Sequence, residues 1–175
     1  MPVLVEAISV IVKVSAIETK FPGGWEAFTG FVPNQTLCAD GDLVRVGFMS
    51  PEATKAFIGE LEDIGLRYLS GGKAVDLVVA DQRRGLACPC EWAEFGRIPW
   101  QGNSQREVSA VRMRGTQSDE LVTPQEWLYE GSLSEKSTFI ENGHVPEFLD
   151  YLRTEKGLDV YRDLRTGKEV FIPQS

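Results

Sequence analysis

Between Val3 and Val14 almost every position is apolar, in two interleaved sets. Leu4, Ile8, Val10, Val12 and Val14 lie on one face of an extended chain, and Val3, Val5, Ala7 and Ile11 on the other. A strand apolar on both faces is covered on both, so residues 3–14 predict an inner strand. Ser15-Ala16-Ile17-Glu18 has the spacing of a capping box, in which the serine and glutamate side chains satisfy free backbone donors at a helix start. That helix is short, because Pro22-Gly23-Gly24 interrupts it; Trp25, Ala27 and Phe28 continue as a second helical turn.

Thr36–Asp40 and Leu43–Phe48 flank Asp40-Gly41 and predict a hairpin. Ser50-Pro51-Glu52 supplies a cap residue, a proline at the first helical position and an acid in the first turn. The helix it opens carries Ala53, Phe57, Leu61 and Ile64 on one stripe and stops at Gly65. Leu66–Leu69 and Ala74–Ala80 pair around Ser70-Gly71-Gly72-Lys73. Residues 81–105 hold Gly85, Pro89, Gly96, Pro99 and Gly102, which predicts irregular chain without long elements. Glu107–Met113 alternates as a strand. Thr123-Pro124-Gln125-Glu126 reads as a capped helix start running to Tyr129, and Ser137–Ile140 as a short strand. Pro146-Glu147-Phe148 opens a helix over 146–156 with Phe148, Leu149 and Leu152 inward, closed by Gly157. Leu158–Asp163 and Lys168–Ile172 form a last hairpin around Thr166-Gly167.

One recurrence organises the chain. Pro51-Glu52, Gly65-Leu66, Tyr68, Gly72-Lys73 and Val75 return in order as Pro146-Glu147, Gly157-Leu158, Tyr161, Gly167-Lys168 and Val170. Each series reads as helix, glycine stop, strand, tight turn, strand; duplication and independent use of the same caps and turns both produce it. Short, hairpin-like connections exclude a doubly wound parallel sheet. The expected class is α+β, a curved and mainly antiparallel sheet with the helices packed against it. The expected organisation is one domain over 1–175, the alternative being two packed helix–hairpin halves, 1–88 and 89–175.

Composition narrows the function classes. The 175 residues are 42% hydrophobic and 25% charged, which is globular and neither disordered nor fibrous. No apolar run approaches the roughly 20 residues of a membrane span. Met1-Pro2-Val3-Leu4-Val5-Glu6 has no basic leader and reads straight into a strand, so the expected compartment is the cytoplasm. With 18 Lys and Arg against 26 Asp and Glu the net charge is −8, which argues against nucleic acid and anionic lipid as partners. Locally the charge is +3 over residues 97–114 and −6 over 117–147, a solvated fluctuation or a negative patch for a basic partner.

The three cysteines, Cys38, Cys88 and Cys90, are odd in number and suit reduced thiols rather than a disulfide scaffold. With the single His144 they offer a Cys₃His set, but Cys-x-Cys lacks zinc-site spacing, so neither metal nor cofactor is expected. A Cys90–His144 nucleophile pair is opposed by Glu91 and Glu94, whose charges raise a neighbouring thiol's pKa. No Gly-x-Ser-x-Gly, His-Glu-x-x-His or phosphate-cradling glycine loop occurs.

Glu6 is the sharpest anomaly, a carboxylate in line with Leu4 and Ile8 on a strand apolar on both faces. It must be paired, hydrogen-bonded or protonated, because a bare buried charge costs several kcal/mol. It reads either as a ligand anchor or general base at the floor of a pocket, or as a structural carboxylate that reaches water near the strand's end or pairs with an arginine. The segment 81–95 is richest in functional residue types: Asp81 ends a buried strand, Arg83 follows, and Cys90 and Trp92 precede further aromatics. Trp25 stands beside a second glycine-rich turn. Two functions follow as expectations. One is a non-catalytic binding protein that meets a protein partner through an acidic and aromatic surface. The other is a small-molecule-binding protein or enzyme whose pocket gathers Glu6, Asp81, Arg83, Cys90 and Trp92.

Overall fold

A computed structural model of the chain describes residues 1–118, 120–130, 132–136, 149–164 and 167–173. The apolar run at the N-terminus is two strands, β1 (Val3–Val5) and β2 (Ile8–Lys13), rather than one. The break is at Ala7, whose φ of 50° is left-handed and turns the chain. Gln82 holds this kink from both sides: its side-chain oxygen accepts the Ala7 N–H at 2.9 Å, and its own N–H donates to the Ala7 carbonyl at 2.8 Å. The two strands therefore enter different sheets.

Helix α1 (Val14–Lys20) follows β2 without a gap, and α2 (Gly24–Phe31) comes next. The expected capping box does not form. Lys13 is the N-cap and no side chain caps the helix, so Ser15 already lies inside the first turn. Strands β3 (Cys38–Ala39) and β4 (Leu43–Phe48) make the first hairpin, closed by Asp40 Oδ1 accepting the N–H groups of Asp42 and Leu43 at 2.8 Å. Helix α3 (Pro51–Ile64) is as expected, with the Ser50 side chain accepting the Ala53 N–H. Its buried residues are Thr54, Phe57, Ile58 and Leu61.

The small ribbon β5 (Leu69–Ser70) and β6 (Lys73–Ala74) leads into β7 (Leu77–Asp81) and β8 (Gly85–Leu86). Residues 93–105, expected to be irregular, are mostly strand and join the expected strand at Glu107–Met113 in the longest hairpin, β9 (Ala93–Trp100) and β10 (Asn103–Met113). β9 is an edge strand, where Pro99 removes no obligatory ladder donor. The helix expected from Thr123 to Tyr129 is instead a turn, with Glu126 at φ 67° and the Trp127 N–H on the Pro124 carbonyl. A short helix, α4 (Leu133–Lys136), follows.

The second expected long helix is also corrected. Residues 149–155 are strand β11 (Leu149–Glu155), paired with β12 (Leu158–Asp163), which pairs in turn with β13 (Glu169–Pro173). Tyr151 faces Tyr161 across the β11–β12 ladder, with ring centroids 5.7 Å apart. The recurrence around Pro51 and Pro146 therefore does not extend to the helix. Residues 137–148, with the expected strand at Ser137–Ile140, Phe148 and His144, lie outside the described residues.

The architecture is α+β, built from several antiparallel sheets rather than one. A five-stranded sheet has the order β3-β4-β2-β7-β8, and a three-stranded sheet the order β1-β10-β9. β2 is covered on both faces, as its pattern demands. Val10 and Val12 pack with Phe28, Phe57 and Leu61 of the helices. Ile11 packs toward Val3, Val5, Val108 and Val111 of the three-stranded sheet. The third sheet, β11-β12-β13, touches the start of α3, where Gly157 packs against Pro51.

Candidate functional site

The kink at Ala7 delivers Glu6 to the seam between the sheets. Its side chain is 8% exposed and meets neutral donors rather than the expected arginine. Trp127 Nε1 donates to Oε1 at 2.8 Å, and Ser134 donates to Oε2 through both its backbone N–H and its hydroxyl, the latter at 2.7 Å. Three hydrogen bonds to one carboxylate, each worth about 1.5–3 kcal/mol, offset much of its desolvation.

The arginine is present but grips Glu6 elsewhere. Arg45, in the middle of β4, is 3% exposed. Its Nη2 donates to the Glu6 backbone carbonyl at 3.0 Å, Nη1 to the Thr36 carbonyl at 3.0 Å, and Nε to Ser9 Oγ at 2.9 Å. The Ser9 hydroxyl in turn donates to the Glu6 carbonyl at 3.2 Å. No carboxylate pairs with Arg45 among the described residues. Burial lowers its pKa from the ordinary value, and the neighbouring Cys38 and Glu6 oppose that shift. The guanidinium packs against Gly47, two residues along the same strand. A Cβ on Gly47 would come within 2.7 Å of Arg45 Cζ. Glycine is thus needed here for close approach, not for a special φ.

Glu6 and Arg45 line one open cavity of about 680 Å³. Phe48, Met49, Pro124, Trp127 and Leu133 make its apolar wall, and Glu126 and Lys156 also border it. Trp127 is fixed by an aromatic cluster, 5.3 Å from Trp100 edge to face, while Tyr129 stacks on Trp100 at 5.9 Å.

The other residues expected at a site do not join Glu6. Asp81 lines a second cavity of about 700 Å³ with Arg84, Lys55 and Tyr68. Its Oδ1 accepts the N–H groups of Arg83 and Arg84 at 2.9 Å, which caps the turn into β8. Arg83 gives its carbonyl to Arg97 Nη2 at 3.0 Å. Cys90 is 8% exposed in the core between the sheets, and burial raises its thiol pKa. Trp92 donates Nε1 to the Ala74 carbonyl at 3.2 Å, with Lys13 Nζ over its ring at 5.1 Å. Trp25 is half-buried on Phe28 in the helical core.

Burial pushes the Cys38 thiol up to about 11, against the pull of Arg45. Cys88 Sγ sits 3.8 Å from the Tyr68 hydroxyl. Among the described residues no three potential metal ligands converge, and no helix is long and apolar enough to cross a membrane. Arg45 went unread in the sequence although it carries the same signal as Glu6, a charge inside the apolar run Leu43–Phe48, with Gly47 two positions on. Trp127 and Ser134 reach the site only through long-range folding. Compared with known proteins, the chain matches no family model, no curated protein and no solved structure.

Proposed function

We propose that the protein binds a small molecule in the cavity bordered by Glu6, Arg45 and Trp127. The observation that carries this reading is a pair of ionisable side chains, 8% and 3% exposed, on the wall of a cavity of about 680 Å³, with no ion pair to either among the described residues. A buried charge without an ionic partner is costly even when it is hydrogen-bonded, and such costs concentrate at binding sites. The volume suits a drug-sized or smaller ligand, and the wall combines apolar surface with a few polar groups, as ligand sites do. The test is a thermal-shift screen of a metabolite library against the native protein, since a ligand that binds only the folded state raises its apparent stability. A hit that shifts wild type but not Ala53→Phe, a substitution at an exposed position on the cavity wall, supports the reading. Hits indifferent to Ala53→Phe oppose it.

A second reading, contact with a protein partner through an acidic and aromatic surface, is favoured by one observation. Leu128 is 70% exposed between Trp127 and Tyr129, in a segment that also carries Glu126 and Glu130. On that reading Leu128→Asp abolishes capture of a partner that the wild type retains from native lysate.

A further inference from the structure

We infer that the ligand of the Glu6–Arg45 cavity is a small monocarboxylate with an apolar body, its carboxylate held by Arg45. This rests on the binding reading above and adds the chemistry of the ligand. A guanidinium has five N–H donors, and a buried one must place them all or forfeit their solvation. Arg45 places three, one from each nitrogen, on Ser9, Thr36 and Glu6. One N–H on each terminal nitrogen has no protein acceptor among the described residues. Two N–H groups on one rigid plane match the two oxygens of a carboxylate.

Glu6 does not compete for the role of anchor, because its oxygens are already occupied by Trp127 and Ser134. The formal charges on the wall cancel: Arg45 and Lys156 against Glu6 and Glu126. A monoanion brings the smallest charge excess an anion can, whereas a phosphate monoester adds nearly two charges to a partly desolvated site. Elsewhere the cavity is lined by Phe48, Met49, Pro124, Trp127 and Leu133, interspersed with the polar Asn34, Gln35 and Gln125, and this apolar share calls for a hydrocarbon or aromatic body. The second cavity lacks this arrangement, since its cationic residues Lys55 and Arg84 are exposed and solvated.

The experiment titrates the native full chain with butyrate, hexanoate and phenylacetate, each beside its primary amide, and with inorganic phosphate. Binding is followed by two-dimensional NMR of the ¹⁵N-labelled protein, including the arginine Nε–H region. The acids are expected to move the Arg45 Nε–H and Gly47 N–H signals, and the amides to bind about tenfold more weakly or worse. Arg45→Lys keeps a cation but loses the fork, so it is expected to weaken acid binding by a similar factor. Should that variant not fold, Ala53→Phe is expected to block the acids with Arg45 intact. Equal binding of acids and amides, abolished by Ala53→Phe, overturns the carboxylate assignment and leaves the cavity as a binding site. Tighter binding of phosphate than of any acid overturns it as well. No acid response at about 10 mM, where even a weak millimolar site fills, also overturns it; a library hit blocked by Ala53→Phe would still support the cavity.

Discussion

Gly47→Ala tests whether the buried guanidinium governs this region. The backbone tolerates alanine, because Gly47 is not among the glycines with positive φ. The added methyl, however, would lie 2.7 Å from Arg45 Cζ and 3.1 Å from Nη1, so the guanidinium must leave its plane. That displacement breaks two or three bonds now at 2.9–3.0 Å, to Ser9, Thr36 and Glu6. At about 1.5–3 kcal/mol for each bond to a charged group, the loss is about 4 kcal/mol. Replacing glycine returns about 0.4–1 kcal/mol through the unfolded chain, leaving a net destabilisation of about 3 kcal/mol. Gly59→Ala is the matched control. Gly59 lies inside α3 with open space where its Cβ would stand, so alanine there should stabilise by about 0.5–1 kcal/mol. Urea unfolding midpoints at constant m-value measure both. A neutral or stabilising Gly47→Ala would refute the placement of Arg45 over that residue.

Two further outcomes are expected. Glu6→Gln turns an amide NH₂ toward donors from Trp127 or Ser134 and should destabilise by about 2–3 kcal/mol, read by urea midpoint; an unchanged midpoint would remove the three-donor account of this carboxylate. The Cys38 pKa is raised by burial from 9.0 to about 11, so the unfolded chain loses this proton first as pH rises. Stability from Cys38 is therefore complete below about pH 9 and falls by about 2–3 kcal/mol as pH passes 11. The loss should appear in wild type relative to Cys38→Ala when midpoints at pH 8 and pH 11 are compared, and identical pH dependence in the two would contradict the burial of this thiol.

Much of the helical layer was legible because its signals are local. Ser50, Pro51 and Gly65 bound α3 by cap chemistry alone, and the strands read on either side of Asp40-Gly41 and of Thr166-Gly167 do pair. The misreadings fall where long-range pairing overrides local pattern. Leu149 and Leu152 have helical spacing, yet residues 149–155 are held as a strand by the ladder to Leu158–Asp163. Gly96 and Pro99 look like breakers, yet they sit on an edge strand that tolerates both. Trp127 and Tyr129 both set their rings against Trp100, a contact made across the fold that the local pattern does not show. At the site itself the sequence exposed one anomaly, Glu6, and concealed its setting. The kink at Ala7, the clamp by Gln82 and the donors 121 and 128 residues away have no local signature.

The central claim, that ligand binds beside Glu6 and Arg45 rather than in the second cavity, is tested most directly by filling these two cavities one at a time. Ala53 lines the first and Ala87 the second, and both are exposed positions that can carry a larger side chain without entering the core. Isothermal titration of wild type, Ala53→Phe and Ala87→Phe with the strongest ligand found should show binding lost, by a factor of about 100 or more, in Ala53→Phe alone, the equivalent of about 2.7 kcal/mol. Retained affinity in Ala53→Phe with loss in Ala87→Phe would contradict the account.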